Sequence, residues 1–475
     1  MHQYWRPGGE QFVGDCMPFF HEDVLHLYYL LDEQHHKARG GLGCHQWAHA
    51  STTDLVHWEH HPLALPIEHD WEGSICTGSI FWHEGLCYAF YATRRPDRDQ
   101  HLCVATSADG IHFTKSPSNP FASPQVGYSP KDYRDPVVFR DEATGLFHLL
   151  ASASLTDHAL PDRGGCLAHL VSPDLQQWEL QEPFLIPGYV GVPECPDVFA
   201  WNGWHYLIFS NWGVARYRMS RSPLGPWLAP PVDTFDGPLA SVMKTAAFGP
   251  NRRLGAAFLP SLEGDRDDGA RLYAGNVVFR EIIQEQDGTL WSGFVPEMTP
   301  VTGAAVRPGV APISGHCEVT DGAVTLREEE GLAVAALSPV PVEARVTARL
   351  TPLQPPAACG IAVRGEGAFT SGYQIRLSPQ LRRVEICRAN AGPVPEPSRN
   401  ALLGADGLDQ PVLLEVICHE DIVDVCINRR RCLVTRLPEL RGDTFFVFCQ
   451  NGSVRVEGLE IVSGRAQAGQ DTGRE

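Results

Sequence analysis

Thr52-Thr53-Asp54-Leu55, followed by an aromatic ring at Trp58, decides the fold, because the chain writes the same pattern again. Ser107-Ala108-Asp109-Gly110 leads to Phe113, Ser172-Pro173-Asp174-Leu175 leads to Trp178, and a degenerate Ser222-Pro223-Leu224-Gly225 leads to Trp227. A hydroxyl and a carboxylate two residues apart can hydrogen-bond turn backbone, while the ring closes one unit against the next. Copies spaced by roughly fifty to sixty residues suit one four-stranded propeller blade with its loops. Each copy follows a strand-like run of aromatic and branched residues: Leu27-Tyr28-Tyr29-Leu30, Cys87-Tyr88-Ala89-Phe90-Tyr91, Phe147-His148-Leu149-Leu150 and Tyr206-Leu207-Ile208-Phe209. A fifth run, Leu254-Gly255-Ala256-Ala257-Phe258-Leu259, lacks the turn signature. Sustained helical periodicity is nearly absent. The pattern predicts an all-β protein with a five-bladed β-propeller over residues 1–300.

Further along, residues 301–314 are dominated by Pro, Gly, Ala and Val and read as a linker. Between 315 and 463 the runs Ala344-Arg345-Val346-Thr347-Ala348-Arg349-Leu350, Tyr373-Gln374-Ile375-Arg376-Leu377 and Leu413-Leu414-Glu415-Val416-Ile417 are strand-like, with turns at regular intervals. They predict a C-terminal β-sandwich. Residues 464–475 are polar and are expected to be disordered.

At 475 residues the chain exceeds what one core organises, which agrees with two domains. No apolar run is long enough to span a bilayer. With 38 basic against 57 acidic residues, the net charge of −19 argues against nucleic acid or an anionic membrane as the partner and favours a small neutral ligand. The start, Met1-His2-Gln3-Tyr4-Trp5-Arg6-Pro7, lacks secretory-signal features. Fourteen cysteines are scattered singly, as expected of reduced thiols, so the expected compartment is the cytoplasm. With no Cys-x-x-Cys pair and no His spacing of a metal site, the expectation is no cofactor and no metal. Oligomeric state stays open, a homo-oligomer included.

Three carboxylates stand at the starts of strand-like runs. Asp15 lies in Phe12-Val13-Gly14-Asp15-Cys16-Met17-Pro18, Asp135 in Tyr133-Arg134-Asp135-Pro136-Val137, and Glu194 in Val192-Pro193-Glu194-Cys195-Pro196-Asp197. Any one alone is more simply a turn former or an arginine partner. The innermost strand of each blade lines a propeller's channel, so three such residues can converge from distant sequence. Converging carboxylates suit glycosidic cleavage, which needs one protonated and one ionised acid.

The same stretches resemble glycoside hydrolase family 32, the invertase, inulinase and levanase group, over about residues 10 to 300. Arg134-Asp135-Pro136 is similar to the family's Arg-Asp-Pro motif and Glu194-Cys195 to its Glu-Cys motif. Trp47-Ala48-His49-Ala50-Ser51-Thr52-Thr53-Asp54-Leu55 resembles the end of its first blade, Thr77-Gly78-Ser79 its Ser-Gly-Ser segment, and Gly275-Asn276-Val277-Val278-Phe279-Arg280-Glu281 its closing run. The resemblance implies a propeller followed by a sandwich. It also implies a retaining hydrolase of furanosidic bonds, chiefly β-fructofuranosides such as sucrose or fructo-oligosaccharides, acting through a covalent glycosyl-enzyme. Asp15 would be the nucleophile, Glu194 the acid/base and Asp135 the transition-state stabiliser.

One departure bears on the sugar. Where the family has Asn-Asp-Pro-Asn-Gly, this chain has Gly14-Asp15-Cys16-Met17-Pro18, and a His-rich loop, Gln34-His35-His36 to His45-Gln46-Trp47, follows the next strand. Another furanose such as arabinofuranose, a fructosyltransferase (transglycosylase) activity, and a non-catalytic carbohydrate-binding propeller therefore stay open. The substrate-binding candidates are Arg134, Trp47, His49, His45, Trp71, Thr77, Cys195 and Trp212, with the Trp71 and Trp212 rings reading equally as pocket walls or blade packing.

Overall fold

The computed structural model describes residues 1–388 and 400–464. The tail expected to be disordered lies outside the described residues beyond Gly464. The chain divides into two compact units. The first comprises Met1–Phe235, Leu239–Ser261 and Arg271–Met298; the second comprises Asp236–Pro238, Leu262–Ala270 and the chain from Thr299 onward.

The first unit is a propeller of five antiparallel blades. Blade I is β1 (Phe12–His21), β2 (Val24–Asp32), β3 (Gln46–Thr52) and β4 (Glu59–Leu65). Blade II is β5 (Ser74–His83), β6 (Leu86–Arg94), β7 (Gln100–Ser107) and β8 (Thr114–Lys115). Blade III is β9 (Tyr128–Arg140), β10 (Phe147–Leu155), β11 (Gly165–Ser172) and β12 (Glu179–Leu185). Blade IV has β13 (Glu194–Trp201), β14 (Trp204–Asn211) and β15 (Val214–Ser220), its fourth position reduced to a Met219–Leu228 bridge. Blade V is β16 (Ser241–Phe248), β17 (Arg252–Leu262), β18 (Arg271–Gln284) and β19 (Leu290–Gly293). The first strands of the blades touch one another in the cyclic order β1, β5, β9, β13, β16 and so enclose the channel. The ring closes where Val13 of β1 pairs with Gly275 of β18, and the Asn276 side chain ties down the Tyr4 carbonyl at 2.6 Å.

Apolar cores between blades hold the ring. Tyr28 and Trp47 of blade I pack with Ala89 and Tyr91 of blade II. Val137 and Leu150 of blade III meet Leu207 and Phe209 of blade IV. Each fully buried side chain of this size contributes about 1.5–3 kcal/mol. Because the middle strands are covered on both faces, their sequences are continuous apolar runs without period-two alternation.

The sequence repeat is the turn between the third and fourth strands. In blade I the Thr52 Oγ1 accepts the Leu55 N–H at 2.9 Å, and Asp54 Oδ1 accepts those of Val56 and His57 at 2.9 and 2.7 Å. Ser107 and Asp109 do the same for Gly110, Ile111 and His112. Trp58 and Trp178 each donate their indole N–H to the carbonyl of the turn leucine, at 3.2 Å.

The second unit is the β-sandwich. Its long strand Thr444–Ser463 pairs along one edge with Ala323–Ser338; along the other, its first half pairs with Ala358–Glu366 and its second half with Ala344–Gln354. The stretch 301–314, read as a linker, already belongs to this unit. Ala305–Val306 pairs with the long strand and Gly309–Ser314 with Ala323–Ser338, since Pro- and Gly-rich sequence is tolerated on short edge strands.

Candidate active site

Every innermost strand carries an irregularity at the same height. In β1 the register against β2 passes from Val13–Leu31 to Cys16–Tyr29, so Gly14 and Asp15 oppose the single Leu30. Cys76 and Thr77 of β5 oppose Ala92, and Asp135 and Pro136 of β9 oppose Ala151. Cys195 and Pro196 of β13 oppose Phe209, and Val242 and Met243 of β16 oppose Ala257. One inserted residue breaks the ladder and re-aims side chains, and such bulges concentrate beside active sites. Asp135, Cys195 and Val242 adopt positive φ (55°, 51° and 49°), a conformation non-glycine residues occupy at a cost.

The bulges bring Asp15, Thr77, Arg134, Asp135 and Glu194 to one cavity of about 720 Å³, joined by Tyr273 of β18. Asp15 is held by hydroxyls: Thr77 donates to Oδ2, and Tyr273 donates to Oδ1 at 3.0 Å. Gly14 permits that approach, since a Cβ there would lie 2.6 Å from the Tyr273 oxygen. Asp135 is buried and accepts the Ser152 hydroxyl at 3.1 Å and the Cys195 N–H at 3.0 Å. Cys195 reaches a second acid through its thiol, 3.5 Å from Asp15 Oδ2. Burial and the surrounding carboxylates push that thiol well above its ordinary pKa, so it is a neutral donor.

Arg134 donates to Glu194 at 3.0 Å, to Asp132 at 2.7 Å and to the Gln100 side-chain oxygen at 3.3 Å, while its Nε stands 3.7 Å from Asp135. Burial alone would weaken the guanidinium's charge, but Asp135, Glu194 and Asp132 raise its pKa above the ordinary value. Burial raises the carboxyls of Asp15 and Glu194, reinforced in each by Asp135. Hydrogen bonds from Thr77, Tyr273 and Cys195 pull Asp15 back, and Arg134 does so for Glu194. Both acids are therefore harder to ionise than ordinary carboxyls, and they differ in what opposes burial: hydroxyl and thiol donors on Asp15, a guanidinium on Glu194.

The remaining candidates divide. His45 lines the cavity and stacks on the Tyr273 ring at 5.0 Å, its Nε2 fixed at 3.0 Å from buried Asp32. Cys195 touches the acids without lining the cavity. Trp47 does not line the cavity; it is fully buried between blades and donates to the Cys76 carbonyl at 2.9 Å. His49 lies inside blade I between Tyr28 and His61, with ring distances of 4.3 and 4.4 Å, and burial lowers its pKa to about 2. Trp71 packs on the core of blades I and II. Trp212, in the β14–β15 turn, is 72% exposed and donates to the Val190 carbonyl at 3.1 Å, while its neighbour Gly213 lines the cavity.

Sequence reading missed Tyr273 and Asp32. No local motif marks Tyr273, whose place comes from the pairing of β18 with β1 across 258 residues. Asp32, which accepts the N–H groups of His35 and His36 as well as His45, could have been found as the acid opening the His-rich loop. Among the described residues no group of three or more His, Cys, Asp or Glu could hold a metal ion, and no helix is long and apolar enough to cross a membrane.

Comparison with known proteins meets this geometry. Residues 16–228 match the glycosyl hydrolases family 32 N-terminal domain. The chain is 30% identical over 215 residues to sucrose-6-phosphate hydrolase of Escherichia coli, covering 40% of this chain and 39% of the relative. It is 33% identical over 175 residues to a levanase of Bacillus sp. (strain L7), covering 32% and 18%. The chain thus spans less than half the length of these two relatives. Fructan 1-exohydrolase IIa from Cichorium intybus superposes with a TM-score of 0.73 at 15% identity over 98% of this chain and 97% of that one. Exo-inulinase from Aspergillus awamori gives 0.71 at 17%, covering 98% of both. At these identities the structural likeness speaks for the fold.

Proposed function

Because the chain belongs to glycoside hydrolase family 32, we propose that it is a retaining glycosidase of β-fructofuranosides such as sucrose or fructo-oligosaccharides. The observation that carries the reading is the convergence of Asp15, Asp135 and Glu194 on one cavity, with hydroxyl donors on Asp15 and an arginine on Glu194. Asp15 attacks the anomeric carbon as Glu194 gives its proton to the departing oxygen, so the glycosidic bond breaks while an ester to Asp15 forms. Glu194, now a carboxylate, takes a proton from water, which attacks the anomeric carbon and frees Asp15. Asp135 accepts hydrogen bonds from sugar hydroxyls that strengthen as positive charge develops in the ring. Arg134 steadies Glu194 through both protonation states, and Tyr273 and Thr77 absorb charge on Asp15.

A phosphorylated sucrose is a second reading, favoured by Arg94 and Arg98. Both line the cavity, and among the described residues they bond only to backbone carbonyls and His36, with no carboxylate within salt-bridge reach. The fourteen free cysteines support a reducing, cytoplasmic setting. Incubation with sucrose, sucrose 6-phosphate, fructo-oligosaccharides and aryl arabinofuranosides tests the whole. Free fructose supports the proposal, larger fructosyl products indicate transfer, arabinose reassigns the sugar, and no release from any of them overturns it. A higher kcat/KM for sucrose 6-phosphate that falls in Arg98→Ala selects the second reading.

A further inference from the structure

Beyond the bulges the same strands enclose a second cavity of about 550 Å³ whose lining includes Lys244, Thr245 and Arg253 of blade V and Asp197 of blade IV. Lys244 is 3% exposed and Arg253 8% exposed, and among the described residues neither has a carboxylate within salt-bridge distance. Lys244 donates to the carbonyls of Gly78 at 3.0 Å and Pro196 at 2.8 Å, leaving one ammonium proton. Arg253 lies 3.3 Å from the centre of the Phe199 ring and donates through Nε alone, to Thr245 Oγ1 at 2.8 Å. The nearby acid is already engaged, since Asp197 Oδ2 accepts both the N–H and the hydroxyl of Thr245, at 2.9 and 2.6 Å. Two buried cations that share one carboxylate, Asp197, without direct contact to it are costly unless an anion joins them, and a guanidinium with its terminal nitrogens unspent matches an oxyanion's geometry.

We infer that this cavity binds a phosphate-class oxyanion, free or as a small ester, between Arg253 and Lys244. The site also reports to the carboxylates. The two carbonyls Lys244 holds belong to the residues directly after Thr77 and Cys195, which bond to Asp15 and Asp135. A bound anion competes with those carbonyls for the ammonium group and so loosens the bulges.

The test is titration of the full chain with inorganic phosphate, and separately glycerol phosphate, by calorimetry and by hydrogen exchange. The expected result is saturable binding below about 10 mM. Protection should lie in segments 197–200 and 244–254, and Arg253→Gln should bind at least roughly tenfold more weakly, while Arg98→Ala binds as before. Should Arg253→Gln fail to fold, the protected segments in the unmodified protein decide. Binding of only one of the two probes identifies the source of the phosphate. No saturable binding, or protection at 94–100 with loss in Arg98→Ala, overturns the inference.

Discussion

The two ends of the propeller channel are built from the same five strands yet arrange their charges differently. On one side of the bulges Asp15, Asp135 and Glu194 share a cavity with Arg134, Arg94 and Arg98; on the other Lys244 and Arg253 share one with Asp197. A strand of unbroken period two keeps one set of side chains inward along its whole length, and a single inserted residue re-phases it. Five bulges at one height therefore divide one channel into two chambers. Lys244 sits at the division, bonded to carbonyls of blades II and IV and to none of the three acids. Their mutual repulsion and burial persist, which is why Asp15 and Glu194 remain harder to ionise than ordinary carboxyls.

The comparison breaks most visibly by neutralising each end in turn. Asp15→Asn and Glu194→Gln are each expected to lower kcat/KM on a fructoside by about a thousandfold or more, roughly 4 kcal/mol. Lys244→Met removes a charge of the other chamber and is expected to cost about tenfold, through the bulges it ties. Steady-state fructose release measures all three. Equal losses in Lys244→Met and Asp15→Asn would mean that the two chambers are one site.

Arg134→Gln is the next largest, at about a hundredfold in kcat, because the cation stands against charge that changes hands on Glu194. It also has a signed pH effect. Arg134 favours the carboxylate, so without it Glu194 keeps its proton to higher pH and the alkaline limb of the kcat/KM profile moves upward. A fall in rate with an unmoved alkaline limb would make Arg134 a packing residue alone.

Tyr273→Phe should cost about tenfold, mainly in kcat, since Phe keeps the ring against Phe258 and His45 while losing the donor to Asp15. That residue also marks the limit of reading the chain by eye. The blades were legible because the turn chemistry of Thr52 and Asp54 recurs locally and a hydroxyl-carboxylate pair caps backbone wherever it occurs. Glu194 was legible as an acid opening its strand, and Asp135 as an acid ahead of a buried run, although its strand already begins at Tyr128. The bulges were not, because nothing in Gly14-Asp15 or Cys195-Pro196 announces an extra residue until a partner strand is counted against it. Trp47 and His49 were read toward the ligand because a polar aromatic strand looks the same whether it faces a cavity or another blade. Burial on both faces erases the alternation that would tell. Residues 301–314 were read as a linker by composition, which cannot distinguish a free segment from an edge strand.

The smallest expected effect runs against the others in sign. Burial and Asp135 raise the Asp15 carboxyl above its unfolded value, so near that range the folded chain binds protons more readily than the unfolded one. The contribution to stability is then fully present below the unfolded pKa and is lost as pH rises through the folded one, where Asp15 takes on its charge at a cost. Asp15→Asn keeps an acceptor for one of Tyr273 and Thr77, turns an amide N–H toward the other hydroxyl oxygen, and removes that charge. It should therefore stabilise the protein by about 1 kcal/mol at pH 7, with the gain shrinking as pH falls toward the ordinary carboxyl range. Thermal melts of both forms across that range measure the difference. An inactive Asp15→Asn that is also less stable at pH 7 would mean that the hydroxyls around Asp15 more than compensate its burial, leaving the acid chamber relaxed rather than held against its own charge.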